Sequence, residues 1–195
     1  MRHLARILFA ALLLVAVSGV ADDQADLIAH LDRTSSAFLS SVEGLSEAQL
    51  NYRPAEGRWT IAEIAEHIAA AEEGILKGTL AAMQNAPAPE ALKDANKDAM
   101  ILQAVPDRSR KFQAPEMLRP TNRFGSPAGA VAAYKKAHAE FVALAKERSD
   151  LRSFAGEHPV LKNLDAHGWI LFQSAHVERH TKQIEEVKAD PNFPK

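Results

Sequence analysis

The chain carries eight histidines and no cysteine. Metal or acid–base chemistry must therefore come from imidazoles, carboxylates and amides. His176 and His180 stand four residues apart in Gln173-Ser174-Ala175-His176-Val177-Glu178-Arg179-His180. On a helix that spacing puts both rings on one face, a turn apart, within reach of one ion. Trp169 and Val187 share that side, so the face is expected to turn inward. Buried imidazoles need a partner for each polar ring nitrogen; a metal ion is one solution and an interior hydrogen-bonded pair another. His67 lies among Ala70, Ala71 and Gly74 on a second helix, where small neighbours let it project into an interior or leave it at an edge. Two ligands from one helix and one from another would give a three-histidine site with an open position, as in catalytic rather than structural metal centres. Such an ion keeps its Lewis acidity and can lower the pKa of bound water or take a thiolate or substrate oxygen. Gln183, three residues after His180, shares their side and is a candidate to hold such a water or to contact a ligand histidine. No protein nucleophile is needed. The cofactor implied is one divalent transition metal, zinc or nickel before iron or copper.

The other titratable residues read more plainly. His158, before Pro159, is a loop residue with a structural role. His138, between Tyr134 and Phe141, is an edge residue with an inward alternative. His30 and His167 read as surface or capping residues, Glu63 as part of a capping box, and Glu178 as exposed. There is no serine triad, phosphate-binding glycine loop or dinucleotide fingerprint. Lysine plus arginine is 23 against 25 acidic residues, a net −2, so no basic excess points to nucleic acid.

The elements that must position these side chains are helical. Residues 1–21 read first as an address: Arg2 and Arg6, an apolar run from Ile7 to Val17, then small residues up to Ala21, the pattern of a secretory signal peptide. The run is short for a membrane anchor. The expectation is an exported protein, periplasmic or secreted, with a single domain over 22–195 and no membrane association after cleavage. Leu27, Leu31, Ser35, Phe38 and Val42 trace a helical stripe over about Asp23 to Glu43. Thr60-Ile61-Ala62-Glu63 opens a second helix with capping-box spacing and an apolar face of Ile61, Ile64, Ile68, Ala71 and Ile75. Ser126-Pro127 opens a third, with Val131, Tyr134, Phe141, Leu144 and Ala145 on its core side. Asp165 caps a fourth, which ends before Pro191. No convincing alternating strand is present, so the fold class is all-α and the architecture a four-helix bundle. The first and third links are short. The middle one, Ala86 to Gly125, is long enough to cross the bundle and lets helices two and three run parallel; Asp94 to Ala104 reads as a short helix within it.

The chain resembles the DinB/YfiT-like family of four-helix-bundle proteins. The likeness rests on Leu45–Pro54, on Gly57–Ile68 with Trp59-Thr60-Ile61-Ala62-Glu63-Ile64-Ala65-Glu66-His67, on Glu157-His158-Pro159-Val160-Leu161, and on Ser174–Ile184. It covers essentially the whole of 22–195. The resemblance implies an up-down-down-up bundle with a long crossover between helices two and three. It also implies a divalent metal held by His67, His176 and His180, and metal-dependent transfer of a low-molecular-weight thiol or isomerisation with a thiol cofactor. Lys162 departs from the glycine frequent in relatives after the His-Pro loop. An exported chain has no assured intracellular thiol, which favours a hydrolase acting on a small molecule. The alternative is a non-catalytic exported bundle that binds metal or a small ligand. The middle link has a surplus of cations (Arg108, Arg110, Lys111, Arg119, Arg123), suggesting an anionic or carbonyl-bearing substrate in a pocket between that link, the first helix and the histidines. A homodimer remains compatible with all of this.

Overall fold

The computed structural model describes residues 23–87 and 95–195. The signal-peptide reading of residues 1–21 falls outside them. Helix α1 covers 23–42, and Ser46 caps a single turn, α2, over Glu47–Leu50. Helix α3 runs over Ile61–Ala82, α4 over Ala95–Ala104, α5 over Pro127–Glu147 and α6 over Ala166–Lys188. The expected start signals operate as read. Thr60 Oγ1 accepts from the Glu63 N–H at 3.2 Å while the Glu63 carboxylate accepts from the Thr60 N–H at 2.8 Å. Ser126 and Asp165 accept from the backbone N–H of Gly129 and Gly168. Each cap satisfies a helix-end donor that otherwise has no partner.

Side-chain pairings fix the direction of every long helix. Gln24 near the start of α1 donates to the Ala145 carbonyl at the end of α5, and Phe38 stacks edge-on against Tyr134. These two are therefore antiparallel. In α3 and α6, His67 meets His176, Glu72 meets Gln173, and Gly78 lies under Trp169, again antiparallel. His30 meets Ser174 while Asp23 meets His167, so α1 and α6 are parallel. Thr60 and Glu63 line one cleft with Ser126 and Pro127, while Leu80 and Ala81 line another with Ala137 and Glu140, so α3 and α5 are parallel too. The bundle is up-down-down-up, with the long crossover between α3 and α5.

One expectation is corrected. The last link holds a two-stranded antiparallel sheet, β1 over Ala155–His158 and β2 over Lys162–Asp165, in which Ala155 pairs with Asp165 and His158 with Lys162. Four-residue strands paired only with each other carry no apolar alternation to read. The three-residue turn, 159–161, leads into Lys162, whose φ of 61° is the left-handed conformation that favours glycine. His158 Nδ1 accepts from the backbone N–H of Val160 and Leu161, both at 3.1 Å, and so holds the turn.

The apolar interior forms two blocks. One gathers Leu27, Leu31, Leu76, Phe141, Trp169 and Ile170, the other Phe38, Ile61, Ile64, Ile68, Tyr134, Val177 and Ile184. Between them lies a buried polar layer of His30, Ser35, Glu72, Gln173 and Ser174, with His138 at its edge. Gly78 is required where it stands, because a β-carbon there would overlap the Trp169 ring.

Candidate metal centre

His67 comes from the second turn of α3, and His176 and His180 from the middle of α6. His67 and His180 are buried and His176 half-buried. Their Nε2 atoms converge: His176 Nε2 lies 3.1 Å from that of His180 and 3.4 Å from that of His67. Two nitrogens bound to one tetrahedral zinc at about 2.0–2.1 Å sit about 3.3 Å apart.

Hydrogen bonds on the opposite side of two rings set their tautomers. His67 Nδ1 is 2.9 Å from the Leu118 carbonyl oxygen. A carbonyl only accepts, so Nδ1 carries the proton and Nε2 presents a lone pair. His180 Nδ1 donates to Gln183 Oε1 at 2.8 Å, with the same result. Arg108 Nη1 faces that amide oxygen at 3.4 Å, and a guanidinium turns only an acceptor toward itself, so the amide orientation is fixed too. Arg108 is in turn gripped by both oxygens of Glu186, at 2.9 and 2.8 Å. Two Nε2 lone pairs thus point at a third Nε2, which has one proton at most to offer them. Three convergent nitrogens that cannot satisfy one another form a donor set suited to a divalent transition metal. The residues therefore fit the group that the sequence implies.

Electrostatics keep the site in its metal-ready form. Burial lowers the pKa of His67, and Arg123 adds to the effect against the opposing bond to Leu118. His176 is pushed down to about 3 by burial, with His67, Arg179 and His158 contributing. Burial and the other two histidines hold His180 well below its ordinary value. All three are neutral at physiological pH, the state in which imidazole ligates.

The crossover closes over this centre from both sides. Arg179, next to His180, donates to the carbonyls of Val105, Asp107 and Arg110. Glu66, next to His67, accepts from the backbone N–H of Thr121, Asn122 and Arg123 at 2.7, 2.9 and 3.0 Å. Burial would raise the Glu66 pKa, but those three N–H groups and the Arg123 charge lower it on balance. Sequence spacing gave no sign of Glu66 or Arg179, because their partners are loop backbone.

Other expectations need revision. Arg108 and Arg123 are engaged by Glu186 and Glu66, which reduces the cationic surplus available to an anionic substrate. Two clefts lie between α3 and α5 and between the start of α3 and the crossover. His30 and His167, read as surface or capping residues, are both buried. His30 contacts the Ser174 hydroxyl at 2.7 Å, and His167 joins Asp23, Asp98 and Asp165 around Arg152. That acidic group has its cation already. His138 stacks on Tyr134 and lies 3.8 Å from Glu72, away from the three-histidine centre. His158 packs on Trp169 and on Phe172, and Phe172 stacks on His176.

The family model of the DinB superfamily matches residues 30–184. The chain is similar to the uncharacterized protein YuaE of Bacillus subtilis (strain 168), with 27% identity over 152 residues, 76% of this chain and 89% of that one. Among solved structures it is similar to YfiT from Bacillus subtilis, described as a probable metal-dependent hydrolase with an unusual four-helix bundle topology. That likeness has a TM-score of 0.58 at 16% identity, covers 88% of this chain and 89% of the other, and is a likeness of fold.

Proposed function

The chain belongs to the DinB superfamily, and we propose that it is a metal-dependent hydrolase acting on a small molecule, with His67, His176 and His180 as ligands of one divalent ion. The observation that carries this reading is the convergence of three Nε2 atoms at 3.1 and 3.4 Å, two of them fixed as acceptors from behind. The description of YfiT as a probable metal-dependent hydrolase supports the reaction class. A divalent ion there would supply Lewis acidity at its open position. The protein's part is to keep the imidazoles neutral and aimed: Leu118 on His67, Gln183 on His180, Phe172 against His176. Export belongs to the same proposal, supported by the basic, apolar and small-residue order of 1–21. N-terminal sequencing from the native host should find a chain starting near Asp22, and an intact Met1 would remove that part.

Elemental analysis of untagged protein should find one ion per chain, reduced by alanine at any of the three histidines. A panel of hydrolase and thiol-transfer substrates should show activity that is lost in His176→Ala. Activity unchanged in that variant would remove the metal from the mechanism. One observation favours a second reading, a non-catalytic metal-binding bundle: two of the three rings are deeply buried, His67 at 3% and His180 at 8% exposure. One ion per chain with a panel silent throughout would select it.

A further inference from the structure

His67 depends on one peptide carbonyl, and a set of contacts holds that carbonyl in place. Leu118 O accepts the His67 Nδ1–H at 2.9 Å. Leu118 ends a three-residue 3-10 turn, Glu116–Leu118, in an otherwise irregular stretch that has little stiffness of its own. The carbonyls on either side of it, those of Met117 and Arg119, both accept from Arg123 Nη2, at 2.7 and 3.1 Å. Arg123 Nε is 3.7 Å from Glu66 Oε1. Glu66 itself receives three successive backbone N–H groups from residues 121–123, with Asn122 turned to a φ of 61° so that they converge. The anion that gathers the end of the crossover is therefore the sequence neighbour of the histidine that the crossover orients.

We propose that Glu66 and Arg123 are positioning residues of the metal centre, holding the Leu118 carbonyl on His67 so that this ring presents Nε2 as a lone pair. The proposal rests on the three-histidine reading above. An imidazole with no partner can carry its proton on either nitrogen, and with the proton on Nε2 it is a donor rather than a ligand. Fixing the tautomer before an ion arrives removes that competing state. A metal on Nε2 also makes Nδ1–H a stronger donor, so occupancy of the centre tightens the crossover, and by linkage the closed crossover tightens metal binding.

The test uses Glu66→Ala, Glu66→Gln and Arg123→Ala in the full chain, with zinc as the probe. Competition against a chelator should show zinc binding about 10–100-fold weaker in Glu66→Ala, as for other residues that orient a ligand. Arg123→Ala should move the same way by less, and Glu66→Gln, which keeps an acceptor oxygen, should recover part of the loss. Nitrogen-15 NMR of the metal-free wild type should show His67 as a single Nδ1–H tautomer, and of Glu66→Ala a mixture. Amide exchange at residues 121–123 should slow on adding zinc to the wild type and not to Glu66→Ala. Unchanged zinc affinity with His67 still wholly Nδ1–H, in variants with wild-type circular dichroism, would overturn the proposal. If Glu66→Ala does not fold, Arg123→Ala and Glu66→Gln carry the same readouts. Wild-type protein that takes up neither zinc nor nickel, iron or copper would instead overturn the metal reading, while the tautomer of His67 still decides the role of Glu66.

Discussion

Replacing Glu72 with glutamine should stabilise the protein increasingly as the pH rises, and the size of the effect follows from the carboxyl's surroundings. Glu72 is 1% exposed. Both its oxygens accept from one neutral donor, Gln173 Nε2, at 2.6 and 2.5 Å. The nearby His138, at 3.8 Å, has its own pKa lowered by burial and brings no compensating charge. Burial pushes Glu72 up to about 8 against the opposing bond from Gln173. The folded-state pKa lies above the unfolded one, so the carboxyl's contribution is intact below about pH 4.5 and is lost as pH rises through about 8. At about 1.4 kcal/mol per pKa unit, the penalty is about 1 kcal/mol at pH 5, about 3 at pH 7 and about 5 at pH 9. Glutamine keeps the shape and an acceptor for Gln173 but does not titrate. Urea unfolding of both proteins at pH 5, 7 and 9 tests this, and the titrating histidines cancel in the difference. The advantage of Glu72→Gln should grow by about 4 kcal/mol from pH 5 to 9, a midpoint shift of about 2 M for a urea slope near 2 kcal/mol/M. Parallel stabilities across that range would refute the reasoning, because the carboxyl would then have a charge partner or water that offsets its burial.

Lys162→Gly should stabilise the fold by about 0.5–1 kcal/mol, since a left-handed non-glycine residue costs about 1–2 kcal/mol and glycine's added unfolded-state entropy returns part of it; denaturant midpoints check this. Gly78→Ala should destabilise by about 1–2 kcal/mol, the overlap with Trp169 outweighing alanine's better helix propensity, and should shift tryptophan fluorescence. Zinc affinity should begin to fall only at a pH below the ordinary histidine value, because burial lowers the pKa of all three rings; a titration that loses zinc at about pH 6.5, that ordinary value, would contradict the burial of the site.

What the sequence revealed depended on whether the determining contacts were local. The stripe through Leu27, Leu31 and Phe38, the Thr60–Glu63 box and the Asp165 cap are encoded within a turn or two of chain, and each appears in place. The convergence of His67 with His176 and His180 was legible only through a motif and a resemblance, since no spacing spans two helices. The partners of those rings were not legible at all for His67, whose support is a backbone carbonyl in the crossover. Nothing local in the sequence singles out Glu72; only the approach of Gln173 from another helix makes it interior. The short strands carry too few residues for a period. His30 and His167 mislead for the same reason as Glu72, because histidine is polar enough to pass as surface until the opposing helix is known.

The parallel course of α3 and α5 has a kinetic consequence. Neighbouring antiparallel helices can pack once a short loop closes, but here the chain must run from Met83 to Ser126 along the bundle before α5 can lie beside α3. Loop closure of that length adds modestly to the free-energy cost, yet it shifts native contacts to large sequence separation, which slows folding relative to simple up-down bundles. The histidine cluster lies later still, since His67 and His176 are 109 positions apart. Its geometry exists only after α6 has returned to α3. An ion that needs all three rings therefore has nothing to grip in an early, partly collapsed chain. Its influence falls on the lifetime of the finished fold, slowing escape from the native state while leaving the rate of reaching it almost untouched.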